Sequence, residues 1–301
     1  MSLLSRGRLS VLVALLLCTL PAAAEVRLLT SIKPLQLIAA AIQDGAGRPD
    51  VLLPAGASAH DYALRPSDVR RLRQAQLFYW VGPDMETFLT RALAARSDPS
   101  VALQDLPGLE LRHFDKADHS EADHDHRHGS LDAHLWLLPA NAERIAARMA
   151  DDLSRLDPAQ AARYQANLAA FGTRLQALDS RLRSRLEPLR AKPFFVVHQA
   201  YDYFETAYGL QHAGVFSMGG EVQPGVRHVA AMRQQLSAAG PACVFSEPPL
   251  RPRLAGTLTA GLPATLAELD PLGTDVAVNA SGYETLLENL AGGLAGCLES
   301  L

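Results

Sequence analysis

At 301 residues the chain is long enough for two domains, each with its own core. Its 28 basic and 32 acidic residues give a net charge of −4, with no basic face to serve a nucleic acid, so nucleic acid is excluded as a partner. After the first two dozen residues no apolar run is long enough to form a bilayer-spanning helix.

The first segment reads as an export signal. Arg6 and Arg8 precede an apolar run from Leu9 to Leu20, followed by Pro21-Ala22-Ala23-Ala24. A basic head, a short apolar core and a small-residue exit form a cleavable Sec signal peptide over residues 1–24. Leu17 stands before Cys18 where a lipoprotein signal carries a small residue, so a soluble exported protein beginning at Glu25 is expected. Removal of Arg6 and Arg8 leaves 26 basic against 32 acidic residues, a net charge of about −6. Cys243 and Cys297 then remain, and in an oxidising compartment one disulfide is the simplest reading, with two separate buried thiols the alternative.

From Val26 onward, apolar runs alternate with helical patterns. Strands are expected at Val26–Thr30, Asp50–Leu53, Leu77–Val81 and Val101–Leu103, and helices at Leu35–Ile42, Pro66–Ala75 and Met85–Ala95. Such alternation over short connections predicts a parallel sheet covered by helices. An amphipathic helix over Asn141–Leu156 leads into the longest periodic stretch of the chain. There Tyr164, Leu168, Phe171, Leu175, Leu178, Leu182 and Leu186 make one apolar stripe. Asp157 is placed to N-cap this helix, Pro158 suits its first turn and Gln160 completes a capping-box spacing. The helix, over residues 157–190, reads as a spine roughly 45–50 Å long joining two lobes, 25–156 and 191–301. A dimeric coiled coil is the alternative; Gly172, and Tyr164 and Phe171 at seam positions, argue against it.

After the spine the strand–helix scheme recurs. Strands are expected at Phe194–Val197, Val215–Phe216, Ala242–Phe245 and Ala264–Leu269, and helices at Tyr201–Tyr208, Val226–Ala239, Arg251–Ala260 and Tyr283–Leu298. The fold class is therefore α/β, two Rossmann-like lobes with parallel sheets joined by one long rigid helix. Ligands of open α/β sheets bind beyond the carboxyl ends of the strands, and two facing sheets place a cleft between the lobes. Three histidines hold such positions: His60 after the second strand, His134 in Asp132-Ala133-His134-Leu135-Trp136, and His198 at the end of Phe194–Val197. Three imidazoles plus one oxygen make a tetrahedral zinc site, with Asp61 and Asp132 as candidate acceptors for the rings' other nitrogens. Read singly, each histidine is better taken as a hydrogen-bonded structural residue; the three together at strand ends carry the metal reading.

A second feature is compositional. Residues 113–128, HFDKADHSEADHDHRH, hold five histidines (His113, His119, His124, His126 and His128) and five acids, with too little apolar content to build a core. This predicts a mobile loop that binds Zn²⁺ or similar ions weakly and raises the local cation concentration.

The blocks GASAHDYALRPSD, DAHLW, VVHQAYDYF, EVQPG, CVFSEPPLRP and LDPLGT, in that order over nearly the whole mature chain, resemble those of periplasmic high-affinity zinc-uptake proteins. These are the substrate-binding components of ABC importers, in the metal-binding cluster with a single rigid linking helix. The resemblance implies zinc, as transported ligand, on His60, His134 and His198. It implies a charged His-rich loop near that site and a Cys243–Cys297 disulfide. It also implies a monomer that delivers zinc to an inner-membrane permease driven by a cytoplasmic ATPase. Close relatives can carry Glu before the first histidine; here Ala59 stands there, leaving water or Asp270 as fourth ligand. Manganese-binding relatives tend to place a carboxylate where this chain has His198, and nitrogen there favours zinc. The expected function is thus zinc capture and delivery, not catalysis. A Mn²⁺- or Fe²⁺-binding relative of the same fold, a zinc hydrolase and an adhesion module are the rivals.

Overall fold

The computed structural model describes residues 25–114, 130–216, 226–248 and 253–301. The expected signal peptide lies outside them. The first lobe holds β1 (Leu28–Thr30), α1 (Lys33–Ile42), β2 (Asp50–Val51), α2 (Pro66–Gln74), β3 (Leu77–Trp80), α3 (Thr90–Ala94) and β4 (Ser100–Ala102). Its four strands are all parallel in the order β2-β1-β3-β4. Every residue of β1 and β3 is buried, as expected of strands covered on both faces.

A two-residue antiparallel pair follows, β5 (Arg112–His113) with β6 (Leu131–Asp132). Next come α4 (Pro139–Leu156) and α5 (Ala161–Leu186). The second lobe contains β7 (Phe194–Val196), α6 (Asp202–Tyr208), β8 (Gly214–Val215), α7 (Val226–Ala239), β9 (Ala242–Ser246), α8 (Arg253–Thr259), β10 (Ala264–Glu268) and α9 (Gly282–Leu298). Its sheet is again parallel, in the order β10-β9-β7-β8. Each lobe therefore places its first and third strands side by side, and the chain leaves them in opposite directions. That is the topological switch point where open α/β sheets bind ligands.

Side-chain alternation along the second sheet sorts its apolar residues to two faces. Phe194, Val196, Cys243 and Phe245 join a core that runs from Val26 to Leu298. Phe195 and Val244 point the other way, into a smaller cluster with Phe216, Met232, Leu236 and Leu258; Phe195 and Phe216 stack at 5.0 Å. The larger core crosses both lobes and includes the spine.

Of the predicted stripe on α5, Tyr164, Phe171, Leu175, Leu178, Leu182 and Leu186 are buried and Leu168 is half-buried. It packs on α4, on α1 from the first lobe and on α9 from the second. These neighbours occupy the face that a coiled-coil partner would need. Helix α1, Lys33–Ile42, is buried all round except at Lys33, because α4, α5 and α9 enclose it together with the sheet. Arg174–Glu284 and Arg181–Glu288 ion pairs, both 2.7 Å, tie α5 to α9 from outside. The start of the spine differs from expectation. Asp157 makes no side-chain cap, and Pro158–Gln160 form a 3₁₀ turn before α5 begins. Asp157 also closes α4, its N–H donating to Leu153 O, so one residue serves two helix ends and its backbone is held for the first.

Helix α9 enters the interface at Gly282. A Cβ there would stand 2.7 Å from Ala277 O and 2.8 Å from Leu37 Cδ2, so only glycine lets α9 approach α1 this closely. At its other end Cys297 is disulfide-bonded to Cys243 of β9.

Candidate metal centre

His60 sits in the connection from β2 to α2. Gly56 turns the backbone through φ 75°. Ser58 Oγ accepts the N–H groups of His60 (3.2 Å) and Asp61 (3.1 Å), a side-chain turn that fixes the loop locally. Ala59 is buried beside it, so the position that carries Glu in some relatives packs here as core. Asp61, one of the two expected ring acceptors, is exposed. A cavity of about 100 Å³ separates residues 53–57 from Leu272 and Thr274 of the second lobe.

His134 follows β6 and is buried. Asp132 is the acceptor the sequence suggested. Its Oδ1 takes the His134 N–H at 3.0 Å and lies 2.8 Å from His134 Nδ1. Trp136 packs on the same ring at 5.4 Å, and its Nε1–H donates to Pro271 O across the lobes at 3.0 Å. The Tyr203 hydroxyl donates to Asp132 O and the Tyr283 hydroxyl to Trp136 O, so the second lobe holds the segment that carries His134.

His198 stands two residues past β7. Its Nδ1 lies 2.9 Å from Oε1 of Glu247, the residue that follows β9, so the pair spans the switch point of the second sheet. Tyr201 Oη lies 3.3 Å from the same oxygen and 3.0 Å from Leu269 O. Sequence reasoning gave Glu247 no place here. The available signal was its position directly after a central strand, as with His198.

The three rings converge. Their centroids are 5.4 Å apart for His60–His134, 5.3 Å for His60–His198 and 5.0 Å for His134–His198. One nitrogen from each lies within 4.8 Å of the others. With Nδ1 of His134 and His198 committed to carboxylates, Nε2 is the nitrogen each presents. Tetrahedral zinc at 2.0–2.1 Å sets nitrogens about 3.4 Å apart, a contraction of up to about 1.4 Å. Desolvation and the neighbouring His198 push His60 down to about 3, so its ring is the neutral, donating form at ordinary pH.

Asp270 is not in this group. Its Oδ1 accepts the N–H groups of Leu272 and Gly273, both at 2.9 Å, and its Oδ2 that of Thr274 at 2.6 Å. Both oxygens are engaged in closing the turn after β10. His113 lies on β5 and is exposed, so the His-rich stretch starts on a strand and not in a loop. His119, His124, His126 and His128 lie outside the described residues.

A family model described as "Zinc-uptake complex component A periplasmic" matches residues 28–297. The chain belongs to this family. Its relatives include the high-affinity zinc uptake system protein ZnuA of Yersinia pestis, 38% identical over 293 residues and 92% of each chain. The protein of the same description in Brucella abortus (strain 2308) is 34% identical over 302 residues, 89% of this chain and 90% of the relative. A solved structure described as a crystal structure of ZnuA matches with a TM-score of 0.76 at 25% identity, over 90% of this chain and 98% of that one. The two-lobed architecture with its linking helix is thus that of the zinc-uptake family.

Proposed function

We propose that this chain is a periplasmic solute-binding protein that captures Zn²⁺ on His60, His134 and His198 and delivers it for high-affinity uptake. The observation that carries the reading is the convergence of three imidazoles, two from the first lobe and one from the second. Nitrogen donors suit zinc, a borderline-soft ion, better than manganese. Hydrogen-bonded partners on two of the rings fix the donating nitrogen before the ion arrives. We take the fourth ligand to be water, because Asp270 caps a turn with both its oxygens.

Family membership supports the rest of the reading. Residues 1–24 serve as the signal peptide, 25–156 as the first lobe, 157–190 as the linking helix and 191–301 as the second lobe. The protein works as a monomer in the periplasm and docks on an inner-membrane permease powered by a cytoplasmic ATPase. Residues 113–128 gather zinc near the cleft. Its task is binding, not catalysis.

Calorimetry with Zn²⁺ on the full mature chain tests this. The His60→Ala, His134→Ala and His198→Ala variants each lose the tightest equivalent, and Asp270→Ala keeps it while melting lower. Preference for Mn²⁺ over Zn²⁺ in competition, or an Asp270→Ala loss as deep as the histidine losses, would overturn the assignment.

A further inference from the structure

A second group of ligand-type side chains stands apart from the three histidines. Asp202 and Glu205 are three residues apart on α6 and share a face. Gly209, at φ 68°, ends that helix and turns the chain back, which brings His212 beneath Glu205. His212 Nδ1 lies 2.9 and 3.0 Å from the two Glu205 oxygens and 3.7 Å from Asp202 Oδ1. One ligand atom from each residue lies within 4.8 Å of the others. The side chains are 10%, 6% and 14% exposed for His212, Glu205 and Asp202. This is no solvated acidic patch.

Two features point to a cation as the ligand. The first is Asp202 Oδ1, a buried acceptor without a hydrogen-bond partner, 3.7 Å from the imidazole nitrogen. Its sister Oδ2 takes the Gln199 amide at 2.9 Å, so the orphaned oxygen is the one turned toward His212. The second is charge. Two carboxylates share one small, largely buried space, and the nearby guanidinium of Arg112, on β5, gives its Nη1 to Thr206 Oγ1 at 2.7 Å. Burying two carboxylates together is costly; the charges of His212 and Arg112 ease that cost for Asp202, and a divalent ion held between the carboxylates would ease it further. The separations also suit an ion: bonds of 2.0–2.2 Å put neighbouring ligand atoms about 3.0 Å apart in octahedral and about 3.4 Å in tetrahedral geometry.

We propose that Asp202, Glu205 and His212 form a second, weaker site for a divalent transition-metal ion. One nitrogen and two carboxylates make a harder donor set than three imidazoles, so the site holds zinc less tightly and discriminates less against Mn²⁺ and Co²⁺. On binding, the ion takes the place of the Nδ1 proton, which moves to Nε2 or to solvent. The site neighbours the cleft without sharing its ligands. Tyr203, between Asp202 and Glu205, donates its hydroxyl to Asp132 O, on the segment that carries His134. It does not depend on the proposed cargo site, since none of its side chains belongs to that group.

The test compares the full mature chain with its His212→Gln and Glu205→Gln variants, using Zn²⁺ and, for spectroscopy, Co²⁺. Any ions bound by residues 113–128 are common to all three and cancel. Each variant binds one equivalent fewer than the parent, from the weaker class, and keeps the tight equivalent that His60→Ala removes. In the parent, the His212 ring proton resonance shifts and broadens only with the later equivalents of Co²⁺, a readout that needs no variant to fold. Equal stoichiometry in parent and variants, or a His212 resonance indifferent to Co²⁺, would overturn the proposal. It would leave His212–Glu205 as a hydrogen bond that closes α6.

Discussion

Asp132 and Glu247 each stand against the Nδ1 of one imidazole, and such a contact decides which ring nitrogen carries the proton. Asp132 is buried and bonds both the backbone and the ring of His134. Asp132→Asn keeps the shape and removes the charge, and zinc affinity falls about 10- to 100-fold. Glu247→Gln acts in the same direction through His198, read by the same calorimetric titration. A different carboxyl governs stability. Glu86 is fully buried, with Oε2 accepting Val81 N–H at 2.7 Å, and burial pushes it up to about 7 from an ordinary 4.5. Its folded form therefore holds a proton that the unfolded chain has already lost. Stability falls as pH rises from about 4.5 to about 7 and is level above that. In thermal melts of the metal-free protein, Glu86→Gln flattens the decline in Tm between pH 5 and 7.5.

At the scale of elements, glycine carries as much information as the apolar stripes. Gly282→Ala forces α9 away from Leu37 and Ala277 O, and costs about 1–3 kcal/mol, measurable by denaturant unfolding. Nothing in the local sequence marks that glycine, because the contact joins residues 37 and 282. The same distinction separates what could be read beforehand from what could not. The spine's stripe, the strands and the three histidines were legible because periodicity and position after a strand are local properties. Strands β5 and β6 were missed: each is two residues long, too short for any period, and they pair across the intervening His-rich stretch. The role of Asp157 was misread because its backbone already served the preceding helix. The place of Glu247 beside His198 and the Asp202–Glu205–His212 group could not be read for a related reason, since strand order and a turn at Gly209 bring them to their partners.

For the whole molecule the decisive fact is one apolar core running through both lobes and the helix between them. Lobes that share a core unfold together, so calorimetry of the metal-free protein gives a single transition whose van't Hoff and calorimetric enthalpies agree. Two resolved transitions would contradict this. The Cys243–Cys297 crosslink lies inside the same unit, and removing both cysteines lowers the whole transition by about 2–5 kcal/mol without splitting it. A continuous core also governs how long captured cargo stays. Prising the halves apart would wet α1, α5 and α9 at once, so escape is expected instead through the short span from Pro54 to Ala57, which lines a cavity. Residence time should then respond to changes at residues 54–62 and stay indifferent to changes along the spine.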